Sequence, residues 1–215
     1  MPHIALYTQL IQSKASSFDD AFDAHVVACL LTAAAMEINT GGSLAEGLGM
    51  SGAELRCMIA AYFPDAATLL EDFGLDHEAP VDDEEQSLRR LLLRSRSTPA
   101  PLSSVLSIII ARRATRPNHL WQDLGLADRG ELSRLMQRHF APLALRNNQD
   151  MKWKKFFYRL ICREEDSRMC LAPSCSECQD FEGCFGDESG ESILARTRLG
   201  LERSEWIAGA PIEAC

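Results

Sequence analysis

The spacing of apolar residues predicts helices along most of the chain, and we find no convincing alternation with a period of two. The stretch 51–64, SGAELRCMIAAYFP, shows the helical pattern most clearly. Ser51 and Glu54 have the spacing of a capping box, apolar residues follow at helical intervals, and Pro64 ends the run. Residues 17–37, 82–95 and 101–114 predict further helices, although the β-branched centre of 101–114 would also suit a strand.

Two later segments predict helices that bear on function. In 128–142, Asp128 and Glu131 have capping-box spacing, and His139 lies on the apolar face. In 150–166, one side of the helix is apolar: Trp153, Phe156, Phe157, Leu160 and Ile161. The opposite side gathers four cations and a thiol: Lys152, Lys155, Arg159, Cys162 and Arg163.

These patterns predict a mostly α protein, a bundle-like helical scaffold followed by an irregular loop with four cysteines. We divide the chain into an N-terminal helical scaffold region (1–100) and a helical region with the cysteine loop (101–215, loop 170–184). One continuous domain is the alternative. The stretch 95–101, SRSTPAP, is expected to be a linker or exposed loop. Residues 193–206 are expected to form one more helix, and Cys215 lies in an expected frayed tail.

The charge of the chain is unevenly distributed. Its net charge of −9 argues against nucleic acid as the main partner. Residues 112–168 nevertheless carry +6 and the remainder −15, so a basic segment leads into the cysteine loop. No apolar run approaches the roughly 20 residues of a membrane span, and the first residues do not resemble a signal peptide. We therefore expect a cytoplasmic protein, with no membrane partner, whose thiols stay reduced.

Half of the eight cysteines lie within fifteen residues, as Cys170, Cys175, Cys178 and Cys184. This C-x4-C-x2-C-x5-C spacing indicates a metal site. Structural zinc sites usually combine two C-x2-C pairs, whereas a single loop with four thiolates suits a polynuclear iron–sulfur cluster. The first three cysteines also match the plant-type spacing of a two-iron cluster, and zinc stays open as an alternative. Because the loop has few apolar residues, we expect metal–thiolate bonds to organise residues 169–190.

Two stretches, RHFAPLALRNNQDMKWKKFFYRLIC and CLAPSCSECQDFEGCFG, closely resemble the nitrogen-fixation protein family NifQ. The cysteine spacing is that family's signature, and the resemblance covers about His119 to Leu194, with NHLWQDLGL at its front edge. It implies a cytoplasmic carrier of an iron–sulfur cluster, [3Fe–4S] or [4Fe–4S]-like, that incorporates molybdenum from molybdate. It also implies donation of molybdenum to iron–molybdenum cofactor synthesis, with the cofactor assembly scaffold and the nitrogenase iron protein as partners.

Further residues are candidates for the molybdenum site. Cys162 is a candidate for retaining molybdenum, because neighbouring cations favour the thiolate form of a cysteine. The candidates for attracting the molybdate dianion are the four cations Lys152, Lys155, Arg159 and Arg163. The alternative is an ordinary solvated face with an incidental thiol. His139 is a candidate metal ligand, and the alternative is a hydrogen-bonded core histidine.

The remaining His and Cys residues have structural interpretations. His119 is expected to cap or pack at a helix start, and His25, Cys29 and Cys57 are expected to pack within the N-terminal helices. A small zinc- or iron–sulfur-binding regulator or electron carrier remains the alternative function. An enzyme is the third possibility, but a classical hydrolase or a nucleotide-dependent activity has no support, since we find no nucleophile–base signature, Gly-rich phosphate loop or H-E-x-x-H motif.

Overall fold

The structure is a computed structural model that describes residues 2–14, 21–38, 42–71, 73–75, 80–164, 184 and 186–188. Within these ranges it contains α-helices and no β-strand, which confirms the mostly α prediction for this part of the chain. The helices are α1 (Pro2–Gln12), α2 (Ala21–Glu37), α3 (Leu44–Leu48), α4 (Gly52–Tyr62), α5 (Ala67–Glu71), α6 (Asp83–Arg94), α7 (Pro101–Ala114), α8 (Leu120–Asp123), α9 (Arg129–His139), α10 (Ala141–Arg146) and α11 (Trp153–Glu164).

Helices α2 and α7 lie at the centre of the fold. Both are apolar around most of their circumference, and both are buried along most of their length, as expected for helices surrounded by others. The β-branched centre of α7 is therefore helical, because burial on several sides outweighs its preference for strands. Buried side chains from Leu6 in α1 to Leu160 in α11 form one hydrophobic core that draws on both predicted regions.

The predicted caps are present, with one difference. Ser51 and Glu54 form a complete capping box at the start of α4. Asp128 accepts a hydrogen bond from the Glu131 N–H at 3.0 Å, but the Glu131 carboxylate does not return to Asp128. It accepts instead from the Ala127 N–H at 2.8 Å and lies 3.1 Å from His25 Nε2. A tertiary contact has thus replaced half of the capping box.

Gly125 fixes the position of α8 against α2. Its φ of +72° is in the left-handed region, and a Cβ there would lie 2.9 Å from both the Cys29 carbonyl oxygen and the Ala33 Cβ. Only glycine therefore allows this turn to approach α2 so closely. The segment immediately before it, His119 to Asp123, contributes to the site described below.

The stretch 95–101 connects α6 to α7 as a short surface loop. Ser97 ties it to the end of α9, since its N–H donates to the His139 carbonyl at 2.8 Å and its Oγ accepts from the Ala141 N–H at 2.8 Å. The predicted helix 193–206, the predicted tail and most of the cysteine loop lie outside the described residues. None of the helices described here is long and apolar enough to cross a membrane.

Candidate metal centre

The structure describes one of the four motif cysteines, Cys184. Its thiol is in no disulfide, its side chain is half-buried against the hydrophobic core, and its carbonyl oxygen accepts the Lys152 N–H at 2.9 Å. Cys184 therefore lies at the N-terminal end of α11. Cys170, Cys175 and Cys178 lie outside the described residues, and no group of three possible ligands is found among the residues that are described. The chemistry of four soft thiolates fits an iron–sulfur cluster.

Glu188, four residues after Cys184, is held by two basic side chains. Its carboxylate lies 3.3 Å from His119 Nδ1, and its other oxygen accepts from Arg129 Nη1. The Glu188 side chain is only 5% exposed. Arg129 also donates to the Asp150 carboxylate at 2.8 Å. Burial alone would lower the pKa of Arg129, but its hydrogen bonds and charge interactions with Asp150 and Glu188 raise it above the usual value.

A second ion pair lies close by, between the half-buried Lys154 and the buried Asp123. Lys154 Nζ is 2.5 Å from Asp123 Oδ2 and also donates to the Arg116 carbonyl. Asn118 donates to the other Asp123 oxygen at 2.9 Å, and Arg113 Nε donates to the Asp123 carbonyl at 2.7 Å. Burial lowers the pKa of Lys154, and the pairing with Asp123 offsets part of that effect. The NHLWQDLG stretch thus places Asn118, His119 and Asp123 beside the start of α11.

Helix α11 has the two sides that its sequence predicts. Trp153, Phe156, Phe157 and Leu160 are buried, and Ile161 packs partly buried against the core. The opposite side is exposed at Lys155 and Arg163 and half-buried at Lys152, Arg159 and Cys162. Cys162 lies in the last turn, about 13 Å along the helix axis from the end where Cys184 lies. The two thiols therefore lie towards opposite ends of α11.

His139 is buried, and both of its ring nitrogens have partners inside the fold. Nδ1 lies 3.1 Å from Ser103 Oγ, and Nε2 lies 3.1 Å from Asp23 Oδ1. Arg138 also contacts Asp23 at 2.8 Å. This network joins α2, α7 and α9 and is the arrangement of a hydrogen-bonded core histidine. A metal bound to His139 would have to displace one of these two partners.

The N-terminal His and Cys residues are distributed differently from the prediction. His25 lies between Tyr7 OH, at 2.8 Å, and the Glu131 carboxylate. Cys29 is buried beside it, and burial together with the Glu131 charge raises the pKa of its thiol, which favours the protonated form. Cys57, expected to be packed, is exposed; that prediction was wrong because Cys57 lies outside the buried α4 face formed by Leu55, Met58 and Ile59.

Sequence reasoning missed the roles of Glu188, Arg129 and Lys154. Lys154 sits within a run of lysines, and its burial could be anticipated only from its helical position next to the apolar stripe. The partners of Glu188 are 59 and 69 residues away in the chain, at Arg129 and His119, and no local pattern connects them. His119 is at the N-cap of α8, as expected.

A family model described as NifQ matches residues 26–186, three quarters of the chain. The chain belongs to the NifQ family. The match begins within α2, well before the His119 boundary expected from the sequence, and it extends through all four motif cysteines.

Individual relatives agree with this assignment. The NifQ homolog of Sinorhizobium fredii is 44% identical over 184 residues, which cover 84% of this chain and 79% of that protein. NifQ of Rhodobacter capsulatus is 38% identical over 68% of this chain and 80% of that protein. NifQ of Azotobacter vinelandii is 41% identical over 66% of this chain and 78% of that protein. No solved structure matches the chain.

Proposed function

We propose that this protein carries an iron–sulfur cluster on its cysteine motif, incorporates molybdenum from molybdate, and donates that molybdenum to iron–molybdenum cofactor synthesis for nitrogen fixation. The observation that carries the proposal is the extent of the family match, which includes Cys170, Cys175, Cys178 and Cys184 with their C-x4-C-x2-C-x5-C spacing intact.

The ligand chemistry supports this role. Thiolates are soft ligands that bind iron–sulfur clusters and suit molybdenum in a sulfur-rich environment. Molybdate arrives as a dianion with hard oxygen ligands, so a carrier has to attract the anion and then exchange oxygen for sulfur. A bound cluster would offer sulfide ligands in place of those oxygens, which would leave as water after protonation. Three of the four cysteines would suffice to hold iron, and the fourth would either bind the incoming metal or cover the vacant position.

The outer side of α11 is suited to the attraction step. Four cations are exposed or half-buried there, with Cys162 among them, and they make this side of the helix electropositive: Lys152, Lys155, Arg159 and Arg163. A dianion is attracted to such a surface over about one Debye length, roughly 8–10 Å at physiological ionic strength. The proposed acceptors of molybdenum are the cofactor assembly scaffold and the nitrogenase iron protein, and a cytoplasmic location is part of the proposal.

Metal analysis of anaerobically purified protein tests the proposal. We expect iron with acid-labile sulfide in the purified protein, and molybdenum in addition after incubation with molybdate. Transfer is then tested by mixing the loaded protein with the apo cofactor assembly scaffold and measuring molybdenum in each after separation. Stoichiometric zinc without sulfide would instead favour a structural zinc module and overturn the proposal.

A further inference from the structure

Three contacts that do not involve a thiol attach the described residues at the end of the cysteine motif, Cys184 and Glu188, to the helical body. The Lys152 N–H donates to the Cys184 carbonyl at 2.9 Å. Glu188 then contacts His119, at 3.3 Å, and Arg129. These contacts join three places distant in sequence: the turn before α8, the start of α9 and the start of α11. The expectation that metal–thiolate bonds alone organise residues 169–190 does not hold for this end of the segment.

We propose that Glu188 is a positioning residue that keeps Cys184 at the N-terminal end of α11, whether or not a cluster is bound. The proposal rests on the proposed function, in which Cys184 is one of the cluster ligands. Two attachment points four residues apart restrict Cys184, because a chain of four residues spans at most about 14 Å. One thiolate is thereby held on the rigid helical body.

The burial of Glu188 makes this contact stronger than an ordinary surface ion pair. A carboxylate that is 5% exposed is stable only with partners, and Arg129, itself 23% exposed, supplies a charge-assisted hydrogen bond. Hydrogen bonds to charged groups contribute more to stability than ion pairs between exposed side chains, which solvent and salt screen. In this proposal Cys184 is held in place before the metal arrives, and a ligand that is already ordered loses less conformational entropy on binding.

The first experiment uses the apo protein, full length, and measures how fast each cysteine is alkylated, with peptide mass spectrometry to separate the sites. Glu188→Gln removes the charge but keeps the shape of the side chain. We expect the Cys184 alkylation rate to rise on the order of tenfold, because losing about 1.4 kcal/mol from the contact increases local opening by that factor. Exposed Cys57 serves as the internal reference and should not change.

Asp187→Asn is the matched control, since it removes the same charge from the exposed neighbouring residue. Its Cys184 rate should equal that of the wild type. Arg129→Lys tests the contact from the other side and should give an intermediate rate, because lysine keeps the charge but loses the forked geometry. Circular dichroism establishes that each variant keeps its helices. If Glu188→Gln loses helix content, the Cys184 alkylation rate of Arg129→Lys decides whether the Glu188–Arg129 contact positions Cys184.

The second experiment uses protein reconstituted anaerobically with iron and sulfide. We expect the cluster of Glu188→Gln to lose iron to a chelator several-fold faster than the wild type, and its electron paramagnetic resonance spectrum to change because one ligand is less constrained. Asp187→Asn should match the wild type in both. A different result would be that Glu188→Gln binds iron normally, with Cys184 alkylated and iron lost at the same rates as in the wild type. That result would overturn the positioning role of Glu188 and leave the proposed function standing. Absence of iron and sulfide from the wild type would overturn the proposed function, while the alkylation rates would still decide whether Glu188 holds Cys184.

Discussion

Two groups of cations lie beside α11, and they differ in the side of the helix on which they lie and in their exposure to solvent. The inner group pairs with carboxylates: Arg113, which is buried, with Glu37, and the half-buried Arg129 and Lys154 with Glu188 and Asp123. The outer group lies on the opposite side of α11 and is exposed or half-buried: Lys152, Lys155, Arg159 and Arg163. Both groups contribute to the +6 charge of residues 112–168.

This difference shows why a charge count is a poor guide to a binding surface. Arg113, Arg129 and Lys154 hold α7, α8, α9 and the Cys184 segment together, and burial makes their partners necessary. The outer group lies on the solvent-facing side of α11, with Lys155 and Arg163 exposed, where positive charge can attract an anion. Substitutions in the cysteine motif, the inner pairs and the outer group are therefore expected to have different effects.

The largest effect is expected at the cysteine motif. Replacing Cys170, Cys175, Cys178 or Cys184 singly with Ser should remove most of the bound iron and sulfide, because a hydroxyl is a poor ligand for iron. The helical content should be unchanged, since the hydrophobic core is built by α1 to α11. Iron and sulfide analysis with circular dichroism measures both. Cys57→Ser, at an exposed position of α4, is the control, and full iron content in all four motif variants would contradict the assignment.

The next effect concerns the inner pairs. Asp123→Asn should lower the free energy of unfolding by about 3 kcal/mol, because it leaves the buried Lys154 charge without its carboxylate. Asp150→Asn is the matched control: Asp150 also pairs with a cation, Arg129, but it is 80% exposed, so the loss should stay below about 1 kcal/mol. Urea unfolding of the apo proteins gives both values. Equal losses of unfolding free energy in the two variants would mean that burial does not determine how much an ion pair stabilises this fold.

The contrast between partnered, half-buried groups and exposed ones also applies to carboxylates, and it predicts how stability depends on pH. Hydrogen bonding from His25, followed by that from the Ala127 N–H, lowers the pKa of Glu131 below its usual value of 4.5. Its contribution to stability is therefore present above about pH 4.5 and is lost as the pH falls through the lower pKa of the folded state. Glu131→Gln should cost about 1 kcal/mol at pH 7 and progressively less in acid.

Urea unfolding across the pH range measures this difference between wild type and variant. Glu71→Gln, at the exposed end of α5, should show little effect at any pH. A Glu131→Gln difference that grew as the pH fell would reverse the sign of the expected linkage.

The smallest effect is expected from the outer group. Neutralising Lys155 and Arg159 together should slow molybdenum loading roughly twofold to fivefold and leave iron content unchanged, because long-range attraction of a dianion is weakened. Molybdenum loading of this variant should also depend less on ionic strength than that of the wild type. The control neutralises Lys14 and Arg56, two exposed cations outside α11. Cys162→Ala should load at a normal rate but retain molybdenum poorly if its thiolate binds the metal.

Molybdenum-to-iron ratios over time, at low and high ionic strength, measure loading and retention. Ratios unchanged by either variant would leave the outer side of α11 as an ordinary solvated surface with an incidental thiol.

The sequence was sufficient for most helices because their signals are local. The capping box of Ser51 and Glu54 and the apolar stripe of α11 depend only on neighbouring residues, and both are present. The half-replaced box at Asp128 shows where this fails. Glu131 contacts His25, which is 106 residues away in the chain. A contact between residues so far apart produces no periodic pattern in the sequence.

The candidate site was predictable to the same extent. The cysteine motif and the outer side of α11 are patterns within short segments, so spacing and periodicity reveal them. The attachment of Cys184 could not be predicted in this way. Glu188 looks like one of several acidic residues in a Gly-rich stretch, and only the fold brings it to Arg129 and His119.

X-ray absorption at the molybdenum edge, on protein loaded anaerobically with molybdate, tests the central claim most directly. A metal incorporated into the iron–sulfur cluster is expected to show sulfur neighbours and iron in the next shell. This signal should disappear in the Cys184→Ser variant and persist in Cys57→Ser. Molybdenum surrounded only by oxygen, with no iron neighbour, would mean that the protein merely adsorbs molybdate and would contradict the account.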